Sequence, residues 1–163
     1  ANYNPGENPV ARQKVNKLIS DAQALGLNVS NQVSGFRAYS TQAGLYNNYV
    51  AAHGKQEADR FSARPGYSEH QTGLVFDLID NQGQLLGAEG TSESSKKAAE
   101  WLEKNAHKYG FIVRYKPEFV EKTGYMEESW HIRYVGEDVA KTIHERNISL
   151  EEYLNAPGGD YAN

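Results

Sequence analysis

Cysteine is absent from all 163 residues. That excludes a disulfide framework and any thiolate-bound structural metal, and it suits a reducing cytosol and a bacterial exterior equally. No apolar run approaches the roughly 18 residues of a membrane-spanning helix, so this segment is not expected to insert into a bilayer. Positive charge is scarce and scattered. With 17 Lys and Arg against 21 Asp and Glu, the net charge is −4, and no basic cluster is available to grip phosphates or an anionic membrane. Nucleic acid is therefore not expected as a partner. The sequence opens at Ala1 with neither a methionine nor a signal-like stretch, which reads as a mature or trimmed form missing its N-terminal signal or anchor. What remains is ordinary globular composition, 39% hydrophobic and 23% charged, with Tyr plentiful at 11. The chain is long enough to bury a core as one domain, residues 1–163.

Residues 1–9 are turn-rich and read as an extended lead-in. Val15, Leu18, Ile19, Ala22 and Leu25 recur at helical period over Val10 to Leu25, with Gly26 as the stop. A short strand is expected over Asn31 to Arg37 and a second helix over Thr41 to His53. Leu74 to Ile79 reads as a central strand buried on both faces, followed by a hairpin turn at Asp80-Asn81-Gln82-Gly83 into Gln84 to Leu86. Thr91 or Ser92 caps a long helix to about Tyr109, with Trp101 and Leu102 inward and Gly110 ending it. Phe111 to Tyr115 and Trp130 to Val135 are strands, Pro117 to Ser129 a loop, and Glu137 to Arg146 a helix. Ser149 and Glu152 form a capping box for a last short helix, and residues 156–163 are a frayed tail. Helices mixed with hairpin-like strands predict an α+β fold.

Asp77 lies inside the apolar run from Leu74 to Ile79, where a carboxylate carries a desolvation cost of several kcal/mol unless a cation or strong donors compensate it. His70 precedes it by seven residues, and His131 follows in a second strand. Two imidazoles and a carboxylate suffice for a catalytic zinc with an open position for water. On one continuous strand, the odd offset between His70 and Asp77 would put them on opposite faces. They converge only if His70 lies on the preceding turn and Gly73 redirects the chain. In Trp130 to Val135, alternation places Trp130, Ile132 and Tyr134 on one face, and His131, Arg133 and Val135 on the other. Glu128, three residues before His131, is placed to take the water's proton; the adjacent Glu127 is the competing carboxylate. Blander roles are open: His70 as a hydrogen-bonded core histidine, and Asp77 as a turn cap or an arginine partner. His53, His107 and His144, near helix ends, suit solvated or dipole-complementing roles.

Ser68-x-His70 with Gly73 and Asp77, then Glu128-x-Trp130-His131, resembles the zinc D-alanyl-D-alanine carboxypeptidases and dipeptidases of bacterial cell-wall metabolism. Ser34-Gly35-Phe36-Arg37 with Gln42 is similar to that family's substrate-binding segment. VanY-type carboxypeptidases and the L,D-carboxypeptidases called LdcB match over roughly Val29 to Gly136. Where the family often has Ala, this chain has Val75. The resemblance implies a small, mostly antiparallel sheet flanked by helices, of the Hedgehog/D-Ala-D-Ala peptidase-like kind. It implies one Zn2+ bound by His70, Asp77 and His131, with Glu128 as general base and acid. Arg37, Gln42 and Ser68 are then the substrate contacts, Arg37 offering a forked donor set suited to a carboxylate. Whether that carboxylate or the developing oxyanion is its target stays open.

The implied substrate is a peptidoglycan stem peptide losing its terminal D-Ala at the cell envelope or outside the cell. A D,D enzyme cuts D-Ala-D-Ala on a pentapeptide, an L,D enzyme cuts a tetrapeptide after its diamino acid, and the reading leans to D,D. The connection from Phe111 to Glu128 is the candidate for the penultimate-residue pocket. A monomer is expected. The alternatives are an endopeptidase cutting within the stem and a wall-binding module without catalysis.

Overall fold

Asn8 begins the first helix because its side chain accepts the N–H groups of Val10 and Ala11, both at 3.0 Å, while Pro9 gives up no needed donor. The computed structural model describes residues 7–34, 47, 51, 72–123 and 125–155. Helix α1 (Pro9–Ala24) buries Ala11, Val15, Leu18, Ile19 and Ala22, and Gly26 turns the chain away at a positive φ of 78°. The backbone N–H of Asn8 donates to the carbonyl of Gly73 at 3.0 Å. That bond ties the start of α1 to the turn that feeds the central strand.

The sheet contains β1 (Val33–Ser34), β2 (Val75–Leu78), β3 (Phe111–Tyr115) and β4 (Glu128–Tyr134) in the order β1-β2-β4-β3, all neighbours antiparallel. Every residue of β2 is buried, Asp77 included, as an apolar run around that one acid predicts. Asp80 closes the following turn: its side chain accepts the N–H groups of Gln82 and Gln84, both at 3.0 Å. The return segment makes one isolated bridge, Ile79 to Leu85, rather than a strand.

Ser92 caps α2 (Glu93–Asn105), whose last turn tightens into a 3-10 segment, Ala106–Tyr109, ending at Gly110. Phe76, Leu78, Phe111 and Ile132 form the main core with α1 and α2, and the Phe111 ring meets Phe76 and Tyr134 edge-on. A second cluster forms where Ile112 meets Ala140 and Ile143 of α4 (Glu137–Arg146) and Leu150 of α5 (Leu150–Leu154). The capping box between Ser149 and Glu152 is present. The segment expected as loop from Pro117 to Ser129 instead holds a 3-10 turn, Pro117–Phe119, and a short helix α3 (Val120–Thr123). Strand β4 also begins two residues early, at Glu128. The structure is thus α+β with a small antiparallel sheet.

Candidate metal centre

Asp77 and His131 are directly opposite each other on β2 and β4, so their side chains leave the sheet on one face. Both are buried, and Oδ1 of Asp77 stands 2.9 Å from Nδ1 of His131. Trp130 and Tyr134 pack with Ile132 against the main core, as the alternation of β4 requires.

Glu128 should not belong here on alternation alone, because residues three apart on a regular strand face opposite ways. The pairing explains its arrival. Between Val113↔Ile132 and Tyr115↔Glu128, β3 advances two residues while β4 advances four. The extra residues form a bulge, which breaks the alternation and re-aims a side chain. Glu128 Oε1 consequently lies 3.8 Å from His131 Nδ1. Ser129, inside the bulge, anchors it by donating to the carbonyl of Leu86 at 2.8 Å. Glu127 is exposed and is not part of the cluster that Glu128 joins, so the structure separates the two adjacent carboxylates.

One ligand atom from each of Asp77, Glu128 and His131 lies within 4.8 Å of the others. Two carboxylates around one buried imidazole make an acidic pocket whose charge a divalent cation offsets. Zinc accepts this mixture of nitrogen and oxygen donors, and two ligand atoms of a tetrahedral ion at about 2.0–2.1 Å lie roughly 3.3 Å apart. The 2.9 Å between Asp77 and His131 is close to that separation. The donor set therefore fits the metal.

Of the other expected site residues, Arg37, Gln42, Ser68 and His70 lie outside the described residues, as does His53. Gly73, just before the strand, has the positive φ of 75° that a redirected chain needs. Sequence reasoning missed the aromatic wall of the site. Tyr115 lies against His131 with ring centroids 4.8 Å apart, and Tyr125 lies 4.8 Å from Tyr115 on its other contact. The only signal in the sequence was the unusual number of tyrosines. A turn in which Tyr125 N–H donates to the Thr123 hydroxyl at 3.2 Å delivers the second ring. A cavity of about 340 Å3 adjoins Tyr115, Glu127 and Ser129, with Lys96, Glu100 and Glu118 also on its walls.

The two remaining described histidines, expected to be solvated or to complement a helix dipole, lie in the last turns of their helical segments. His107 and His144 are half-buried and stack on each other, centroids 3.8 Å apart and planes within 11°. Burial and the neighbouring His144 hold the His107 pKa below its ordinary value.

Comparison with known proteins bears on this geometry. The family described as VanY, D-alanyl-D-alanine carboxypeptidase, matches residues 6–137. A D-alanyl-D-alanine carboxypeptidase of Enterococcus faecalis is 41% identical over 107 residues, which are 66% of this chain and 37% of that protein. This chain spans less than half the length of the first curated relatives it matches. The crystal structure of the L,D-carboxypeptidase DacB of Streptococcus pneumoniae superimposes with a TM-score of 0.87 at 53% identity, covering 98% of this chain and 82% of that one. A variant of the vancomycin-resistance D,D-pentapeptidase VanY, in complex with Zn(II), gives 0.78 at 32% identity, covering 91% and 84%. With the fold, the strand-borne Asp77 and His131, and the bulge-borne Glu128 all in place, this chain belongs to the VanY family of D-alanyl-D-alanine carboxypeptidases.

Proposed function

We propose that this chain is a zinc-dependent carboxypeptidase that removes the terminal D-Ala from peptidoglycan stem peptides at the cell envelope. The observation that carries the proposal is the convergence of buried Asp77 and His131 with Glu128 on one face of the sheet. In this reading Asp77, His131 and His70 hold the ion, which would acidify a bound water and polarise the scissile carbonyl. Glu128 sits at the rim of the cluster, half-buried and open to a water. Its carboxylate takes the proton of the attacking water and returns it to the departing amine. Arg37 meets the free C-terminal carboxylate, with Gln42 and Ser68 as neutral hydrogen-bonding partners. No side-chain nucleophile is needed, in keeping with a chain that has no cysteine.

Between the two cleavage specificities, the L,D reading is the better supported. Identity to the L,D-carboxypeptidase is 53%, against 32% to the D,D-pentapeptidase. The cavity beside Tyr115 carries Glu100, Glu103, Glu118 and Glu127 against Lys96 and Lys116, and this excess of acid suits the free amino group of a diamino acid. Its walls come partly from the connection after β3, the segment expected to form the penultimate-residue pocket. Incubation of the zinc-loaded protein with defined tetrapeptide and pentapeptide stems, followed by mass analysis, tests this. Loss of one D-Ala from the tetrapeptide is the expected result. Release from the pentapeptide alone would make it a D,D enzyme, and no cleavage of either would leave a wall-binding module.

A further inference from the structure

We propose that Tyr115 is a positioning residue that fixes the plane of the His131 imidazole, and so sets the affinity of the site for its metal. This rests on the zinc reading above. The imidazole of His131 can rotate about two bonds, and a ligand nitrogen must be held to within a few tenths of an ångström of its productive place. The contact between Asp77 and His131 Nδ1, at 2.9 Å, sets one distance, which by itself does not determine both torsions of the ring. Tyr115 lies against the ring and limits how far it can turn. Its ring is buried, lies 4.8 Å from the His131 ring at 33° to it, and is supported by Tyr125 at the same distance.

The backing extends further. The Arg114 guanidinium carbon lies 5.0 Å from the centroid of the Tyr115 ring. That guanidinium is itself held by both oxygens of Glu151 on α5, each at 2.6 Å. The Tyr115 ring therefore has aromatic and cationic neighbours that limit its own movement, so a rigid surface rather than a loose one faces His131. The bulge makes the contact possible, because Tyr115 pairs with Glu128 instead of with the residue that regular register would place there. One distortion of β4 thus brings both Glu128 and the Tyr115 ring to the metal side.

The test uses metal-stripped parent, Tyr115→Phe and Tyr115→Leu proteins, each titrated with Zn2+ against a chromophoric chelator. The visible spectrum of each Co2+-loaded protein provides a second readout of ligand geometry. Tyr115→Phe keeps the ring and should match the parent. Tyr115→Leu should lose about 10- to 100-fold in zinc affinity, the range for losing a group that orients a ligand, and shift the Co2+ bands. If Tyr115→Leu does not melt cooperatively, Tyr115→Met, which refills the space with a flexible chain, is read the same way. Parent-like affinity and spectrum in the well-folded ring-less variant would overturn the inference alone, as would an equal loss in Tyr115→Phe. A parent that takes up no zinc would overturn the metal reading and this inference with it.

Discussion

His131 and His107 are the same side chain in opposite electrical surroundings. His131 is buried with two carboxylates at its Nδ1, Asp77 at 2.9 Å and Glu128 at 3.8 Å. His107 is pressed against another imidazole at 3.8 Å, and its buried Nδ1 has no hydrogen-bond partner among the described residues. Its burial, His144 and Lys108 favour neutrality, and Glu145 only partly offsets them. The first arrangement can hold a cation; the second can only exclude one. Histidine count or helix position would not distinguish them, whereas the neighbouring charges do.

The sharpest way to break the comparison is to remove one acid from the first setting. Glu128→Gln keeps the size and the fold, and should keep zinc while losing about 10²–10⁴-fold in turnover on the stem peptide. Near-parent turnover, measured by product release, would remove Glu128 from its role as base.

Why Glu128 lies there was not legible in the sequence. Asp77 announced itself as an acid in an apolar strand, and His131 followed from simple alternation. Glu128 was picked out by its spacing to His131, but its facing depends on a bulge, and a bulge is a property of two paired strands. The ends of α4 and the Ser149–Glu152 box were readable because capping is local chemistry. The stack of His107 on His144 joins residues far apart in the chain, so helix-end rules, which gave both a solvated or dipole-complementing role, could not pair them. The short helix after Pro117 was missed because four residues carry no periodic signal.

A second prediction acts on the support beneath the acidic site and leaves the histidine stack alone. The Arg114–Glu151 pair is nearly buried, with side chains 10% and 12% exposed. Arg114→Ala should lower stability by about 3 kcal/mol in urea unfolding, since Glu151 would be left without its partner. A loss below 1 kcal/mol would show that α5 is not held by this pair.

The smallest effect belongs to the stack itself. Because the fold depresses the His107 pKa, the folded state binds its proton less readily than the unfolded chain. Its contribution to stability is complete above the ordinary histidine value near 6.5 and is lost as pH falls through the lower folded value. Glu145 opposes this shift, while Lys108 reinforces it. Glu103 and Lys116, which pair with each other at 3.5 Å, also border the site. Melting temperature should therefore fall between pH 7 and pH 5, and His107→Phe should fall less. An equal decline in both proteins would place the acid sensitivity elsewhere.

The central claim is that Asp77 and His131 belong to a metal centre. Elemental analysis of the dialysed protein, alongside Asp77→Asn, tests it most directly. One equivalent of zinc in the parent and little in the variant is the predicted result. A parent that retains no zinc, and whose melting temperature does not respond to added zinc, would contradict the account.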